Sequence, residues 1–126
     1  STEVEGVNEV VDIAFAATAI KTQDVHGSSF RYAKVMTLPF FGSGMVEIPP
    51  DGYKRMKNSR KMQMVFFVHE GKVTVDIEDV QFGMTKGGVW QVPRAVRGLL
   101  SPQICINKQL GKLFMHIQHT PTYVRG

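Results

Sequence analysis

Potential metal ligands are too scattered in this sequence to suggest a metal centre. Neither H-x-H nor H-E-x-x-H occurs, and the four histidines are His26, His69, His116 and His119. The last two are three residues apart, which places both side chains on one face of a helix but on opposite faces of a strand. A shared metal ion is therefore disfavoured, and we predict no metal and no other cofactor.

The other reactive side chains do not form a catalytic arrangement. Cys105 lies between two isoleucines, in an apolar run where a thiol is usually a small core residue. Asp76 and Glu78 alternate with apolar residues, which favours solvated acids over an acid–base pair. Neither G-x-S-x-G nor a phosphate-binding glycine loop before a helix is present. We predict no catalytic residues and no enzymatic activity.

Length and composition indicate one globular domain. Of the 126 residues, 43% are hydrophobic and 21% are charged, which is ordinary for such a domain. No stretch approaches the roughly eighteen apolar residues of a membrane span, so we expect no membrane partner. The single cysteine excludes an internal disulfide and favours a reducing compartment. We expect residues 1–20 to be a partly ordered lead-in, first acidic and then apolar, and residues 21–126 to form the folded domain.

The net charge of +4 is concentrated in one short basic block. Its members are Lys54, Arg55, Lys57, Arg60 and Lys61. A solvated loop explains such a block, and so does a contact with phosphates or an acidic partner through Lys54, Arg55 and Lys57. Only Tyr53 adds an aromatic ring, so stacking on single-stranded nucleic acid has little support.

Alternating apolar and polar residues, together with a nearly all-apolar run at 62–68, predict strands over most of the chain after residue 30. The predicted strands cover 30–36, 44–48, 62–68, 73–78, 80–84, 89–92, 103–107 and 112–119. Turns separate them about every eight to twelve residues, a spacing typical of an all-β sandwich or barrel. The sequence therefore predicts an antiparallel all-β jelly roll, with a turn at Glu70-Gly71. Residues 10–15 could form an edge strand, residues 16–20 are compatible with a helix, and the sequence leaves the structure of this segment open.

The spacing of the central glycines resembles the first motif of the cupin superfamily. Gly52 and Gly71 stand at the two ends of that motif. Between them, Asn58, Arg60 and Met64 occupy the positions of its two histidines and its glutamate. The resemblance implies that residues 21–126 form a cupin-type jelly-roll β-barrel.

The second cupin motif is matched less completely. Gly87 and Pro93 fit it, and an insertion over Ala95–Pro102 then brings Gln103 and Asn107 to the histidine and asparagine positions. All four metal-ligand positions have changed in the two motifs together. The resemblance therefore implies a barrel without the usual iron, manganese or zinc site.

Three longer stretches are similar to the C-terminal cupin of the centromere protein C family of inner-kinetochore proteins. They are residues 40–50, 64–75 and 87–94, within a resemblance that spans about residues 40–120. It implies homodimerisation of a scaffold in the nucleus, at the centromere and kinetochore. It also implies docking of kinetochore assembly factors and of factors that load or maintain the centromeric histone variant.

Two surfaces are candidates for association. Cupin ligand positions face inward, so Val65 and Phe67 should face outward, and Phe114 should join them from a neighbouring strand. We predict that these three residues form a dimer interface, unless residues 10–20 cover them within the monomer.

Candidates for docking a partner lie in and beside the inserted loop, which could instead fold over the barrel mouth. They are Arg94, Val96, Arg97, Leu99 and Leu100.

Two other functions remain open. A metal-free cupin could bind or isomerise a small ligand inside the barrel, which would need polar and aromatic side chains pointing inward. The basic block could bind nucleic acid.

Overall fold

The computed structural model describes residues 11–55, 61–77, 80–94, 103–105 and 110–119, and these are almost entirely β-structure. The strands are β1 Gln23–Asp24, β2 Arg31–Leu38, β3 Phe41–Ile48, β4 Tyr53–Arg55, β5 Met62–Ile77, β6 Val80–Thr85, β7 Val89–Val92, β8 Gln103–Cys105 and β9 Gly111–His119. Within these ranges the helical structure is one 3-10 turn, Ala17–Ala19. None of it is long or apolar enough to cross a membrane.

The strands form two antiparallel layers that share β5. In the first layer the order is β1-β2-β3-β9-β5-β7. In the second layer the order is β6-β5-β8-β4. This arrangement confirms the predicted antiparallel all-β jelly roll of cupin type.

The long strand β5 passes from one layer to the other at Gly71. The predicted turn at Glu70-Gly71 is wrong, because β5 runs on through both residues to Ile77. The register against β9 shifts between Val68 and Glu70, and Gly71 has a φ of +83°. A Cβ atom at Gly71 would overlap the backbone carbonyl oxygen of Leu110. Glycine is therefore required where β5 bends and β9 crosses it closely.

The core lies between the two layers and follows the predicted alternation. Along β5 the buried residues are Met64, Phe66, Val68, Val73 and Val75, and β9 adds Leu113 and Met115. Trp90 of β7 stacks on Phe66, with ring centroids 5.0 Å apart. Fully burying a large apolar side chain stabilises a fold by about 1.5–3 kcal/mol, so this alternation holds the two layers together.

The remaining differences from the sequence-based prediction are local. β3 begins at Phe41, so the break after β2 is narrower than the predicted one. Residues 53–55 of the basic block form β4, which was not predicted. Residues 11–15 are irregular and not the predicted edge strand, whereas the helix-compatible stretch 16–20 contains the 3-10 turn Ala17–Ala19.

Candidate association surface

The outward side of the first layer carries a row of apolar side chains across four neighbouring strands. Register places Met45 of β3 opposite Phe114 of β9, Phe114 opposite Phe67 of β5, and Phe67 opposite Val89 of β7. We call this set the apolar row. Residues directly opposite each other in antiparallel strands point to the same side of a sheet, so the four side chains are neighbours.

A second row of side chains, two residues away from the apolar row on each strand, is more polar. It contains Ser43, His116, Val65 and Gln91 on the same four strands. Val65 and Phe67 are 41% and 40% exposed, and Val89 is 55% exposed. Exposed apolar side chains are unremarkable one by one, but neighbouring ones on a sheet face are a candidate interaction surface.

The N-terminal segment covers one end of the apolar row. Ala17 and Ile20 line a hollow of about 240 Å³ together with Met45 and Phe114. Met45 is buried and Phe114 is half-buried, whereas Phe67 and Val89, towards the other end, stay exposed. In the predicted alternative, residues 10–20 cover the patch within the monomer. The described part of this segment, 11–20, covers the row only at its Met45 end. Val10 lies outside the described residues.

Charged side chains fix the N-terminal segment beside this face. The Thr22 hydroxyl donates a hydrogen bond to the Glu47 carboxylate at 3.0 Å, and Arg31 Nη2 donates to the Thr22 carbonyl at 2.8 Å. Glu47 also lies 3.7 Å from Arg31 Nε and 3.8 Å from Lys112 Nζ. Lys112 in turn lies 3.5 Å from Glu70. The charges therefore gather along one border and leave the row itself uncharged.

The opposite border of the face is uncharged. Gln63 and Gln118 hydrogen-bond to each other, and with Phe41, Val65 and His116 they line a second hollow of about 320 Å³. The His116 ring meets Phe41 edge-on, with centroids 5.8 Å apart. An apolar centre with a polar border is the usual anatomy of a protein–protein interface.

The structure places the predicted dimer residues together. Phe67 and Phe114 are directly opposite, and Val65 is two residues from Phe67 on the same side of β5. Their role in a dimer stays a prediction. Sequence reasoning missed Val89 and Met45, because the strand order that brings them into the row is not visible in the alternation of residues. The sequence signal for Val89 was its position next to Trp90. A tryptophan in a strand usually points into the core, so its neighbour points to the outer face.

The predicted partner-docking loop is described only at its start. Arg94 is half-buried, and its Nε atom is buried without a hydrogen-bond partner among the described residues. Val96, Arg97, Leu99 and Leu100 lie outside the described residues. Their role as docking residues stays a prediction.

The basic block is divided between the two sides of β4. Lys54 pairs in register with Ile104, and Ile104 pairs with the buried Val75, so Lys54 faces inward. Its ammonium lies 4.4 Å from the centre of the Phe30 ring, and burial lowers the pKa of Lys54. Arg55 faces outward beside Tyr53. Lys57 lies outside the described residues.

The cupin ligand positions do not provide a metal site where the structure describes them. Met64 takes the glutamate position and is buried against the core. A thioether does not replace the carboxylate that iron, manganese or zinc would require there. Asn58 and Arg60 lie outside the described residues, as does the side chain of Gln103. Among the described residues, no three His, Cys, Asp or Glu side chains are grouped as metal ligands.

Comparison with solved structures identifies the fold as that of a cupin. An RmlC-like cupin from Shewanella frigidimarina superposes with a TM-score of 0.71 at 13% identity, covering 87% of this chain and 93% of that one. The cupin domain of Schizosaccharomyces pombe Cnp3 superposes with a TM-score of 0.70 at 23% identity, covering 85% and 74% of the two chains. Both likenesses concern the fold alone.

Comparison at the level of sequence defines the family. The family model described as Mif2/CENP-C like matches residues 30–114, and the chain belongs to this family. The inner kinetochore subunit cnp3 of S. pombe is 29% identical over 83 residues, which are 65% of this chain. The match spans only 13% of that relative's length. The predicted resemblance to centromere protein C is thereby confirmed, and the predicted localisation at the centromere and kinetochore agrees with it.

Proposed function

We propose that this domain is a non-enzymatic homodimerisation and protein-docking module of an inner-kinetochore scaffold. Membership of the Mif2/CENP-C-like family supports the kinetochore context. The observation that carries dimerisation is the apolar row, with Phe67 and Val89 exposed on a sheet face whose centre is uncharged.

Burial of this row gives association its driving force. The exposed parts of Val65, Phe67 and Val89 would leave water together, at about 25 cal/mol for each Å² of apolar surface. Interfaces gain from a central apolar cluster even though association itself costs several kcal/mol. A second copy of the chain is the simplest occupant, because a two-fold dimer brings the same patch together from both subunits.

The charged border suits the same arrangement. Arg31 and Lys112 alternate there with Glu47 and Glu70, so each copy presents both signs of charge at the edge of the face. A two-fold axis through the row would let unlike charges of the two borders face each other. Complementary borders of this kind favour one register of association over others.

Substitution of Phe67 tests the proposal. Phe67→Glu would place a carboxylate at the centre of the buried patch, and burying an unpaired charge is strongly unfavourable. We expect multi-angle light scattering to show the dimer mass for the native protein and the monomer mass for Phe67→Glu at the same concentration. Phe67 is already exposed in the monomer, so the barrel should stay folded in this variant.

Tyr53→Glu is the matched control. Tyr53 is also aromatic and is 47% exposed, but it lies on the second layer. This variant should keep the dimer mass. A dimer of unchanged mass in Phe67→Glu would remove this face as the interface.

Docking of other proteins completes the proposed role. Dimerisation doubles every partner site on the scaffold, which strengthens binding to a partner with two contacts. We assign partner docking to Arg94 and to the inserted residues 96, 97, 99 and 100. The docked factors would assemble the kinetochore and load or maintain the centromeric histone variant.

The small-ligand alternative receives less support from the interior. The buried side chains are mainly Val, Met, Ile, Leu and Phe, packed as one cluster. Trp90 adds a polar atom, Nε1, which is buried without a hydrogen-bond partner among the described residues. One donor in a packed apolar interior does not make a ligand site.

A further inference from the structure

A polar hollow lies at the end of the β2–β3 hairpin. Its volume is about 250 Å³. The residues whose side chains matter in its lining are Tyr32, Lys34, Thr37, Ile117 and His119. No acidic residue is among the described residues that line it. The hollow therefore presents an ammonium group, two hydroxyl groups and an imidazole over an apolar floor.

The phenol of Tyr32 is held in place as a donor. Its ring lies against Gly44, where a Cβ atom would overlap the hydroxyl end of the ring. Any other residue at position 44 would therefore displace the ring. Burial raises the pKa of Tyr32, so the phenol keeps its proton at neutral pH.

This set of donors fits a phosphoryl group. A phosphorylated serine or threonine carries close to two negative charges at pH 7 and three strong acceptor oxygens. Lys34 supplies a positive charge, and the hydroxyls of Tyr32 and Thr37 supply hydrogen bonds without an opposing carboxylate.

The apolar surroundings distinguish a peptide from a nucleic acid. Leu38 and Phe40 are 44% and 55% exposed at the hairpin turn beside the hollow. Phe40 has a φ of +61°, a left-handed conformation that costs a residue other than glycine about 1–2 kcal/mol. The Phe40 carbonyl accepts a hydrogen bond from the His119 amide at 2.7 Å, which stabilises the turn. Lys34 is the one lysine or arginine among the described lining residues, whereas a nucleic acid backbone is bound through several.

We propose that this hollow binds a phosphorylated serine or threonine of a protein partner, with an adjacent apolar residue of that partner on Leu38 and Phe40. The site differs from the dimer interface and from the inserted loop, and it does not depend on dimerisation. It would make docking to the domain responsive to phosphorylation.

Titration with a short peptide tests this site. The probe is an acetylated and amidated peptide in which phosphoserine is flanked by leucine on both sides, followed by NMR of the intact domain. We expect amide shifts at residues 34, 37 and 119. The unphosphorylated peptide should bind at least about tenfold more weakly, since it lacks the charge-assisted hydrogen bonds.

Lys34→Met and Lys86→Met form a matched pair. Lys86 is also an exposed lysine, but it lies in the β6–β7 turn. Lys34→Met should weaken phosphopeptide binding about tenfold, and Lys86→Met should leave it unchanged. Equal binding of both peptides, or phosphopeptide binding unaffected by Lys34→Met, would overturn the proposal. Tighter Lys34-dependent binding of a short duplex DNA would overturn it as well. The titration is then repeated with Phe67→Glu. Because the hollow does not depend on dimerisation, phosphopeptide binding should be the same in this variant. Failure of the phosphopeptide site can therefore be told apart from failure of the proposed dimer.

Discussion

Lys54 and Arg55 are adjacent in the sequence but face opposite sides of β4. Lys54 lies over the Phe30 ring, where a cation–π contact and its buried stem hold it to the barrel. Arg55 is exposed and faces solvent from the second layer. Consecutive basic side chains can share one surface in a loop. In a strand they alternate between two faces, as Lys54 and Arg55 do in β4.

Any binding of DNA or of an acidic partner by the basic block should therefore depend on Arg55 rather than on Lys54. Arg55→Gln should lower the salt concentration at which the domain elutes from immobilised duplex DNA, since removing a charge that pairs with a phosphate weakens salt-sensitive binding. Lys54→Met should elute with the native protein. If Lys54→Met weakens retention as much as Arg55→Gln does, the inward placement of Lys54 has no functional meaning. No retention of the native domain would exclude the nucleic-acid alternative.

Gly71 is the second residue whose surroundings decide its role. Gly71→Ala should lower the free energy of unfolding by more than about 4 kcal/mol, or prevent folding, because the new methyl group overlaps the Leu110 carbonyl. Gly87→Ala is the control, since Gly87 has a φ of +90° but open space around it. It should cost only about 1–2 kcal/mol. Urea unfolding of the two variants gives the comparison, and similar midpoints would contradict the crowding at Gly71.

At the scale of elements, β5 organises the domain. Its first half pairs with β9 and β7 in one layer, and its second half pairs with β6 and β8 in the other. Because the side chains alternate along a strand, this one element supplies Met64, Phe66 and Val68 to the core and Val65 and Phe67 to the outer face. Alternate residues of the same strand therefore supply the core and the proposed association surface.

The alternation of β5 was predictable from the sequence, and its continuity was not. Alternation assigned Val73 and Val75 inward, and the cupin ligand position at Met64 assigned Val65 and Phe67 outward, as the structure has them. Glu70-Gly71 reads as a turn, because glycine after a polar residue usually ends a strand. Only the three-dimensional crossing with β9 shows that this glycine serves close approach instead. The local sequence pattern predicts which way side chains point. The register between strands and the crossing of β5 and β9 depend on contacts between residues that are distant in the sequence.

The candidate surfaces divide in the same way. Val65, Phe67 and Phe114 were found because two apolar strands were predicted to be neighbours, as β5 and β9 are. Met45 and Val89 were missed because their place depends on the pairing of β3 and β7. The hollow at the β2–β3 hairpin was not predicted at all. Its residues come from three strands and share no motif.

At the scale of the whole molecule, dimerisation through the apolar row would place the first layers of two barrels face to face. Packed sheets are about 10 Å apart, so the second layers of the two copies would be about 30 Å apart, on opposite outer surfaces. In such a dimer, a residue on the first layer would lie close to the same residue of the other copy, whereas a residue on the second layer would lie far from it. A dimer through the second layer would reverse the order of these distances.

Pulsed electron–electron spin resonance on spin-labelled domains measures this difference directly. The labels are placed singly at Gln91, beside Val65 on the outer face, or at Tyr53, on the second layer. Both variants carry Cys105→Ser so that each copy has one label. The face-to-face dimer predicts a distance between the two Gln91 labels that is shorter by about 20 Å than that between the two Tyr53 labels. A shorter distance at Tyr53, or no dipolar coupling at either site, would contradict dimerisation through the outer face.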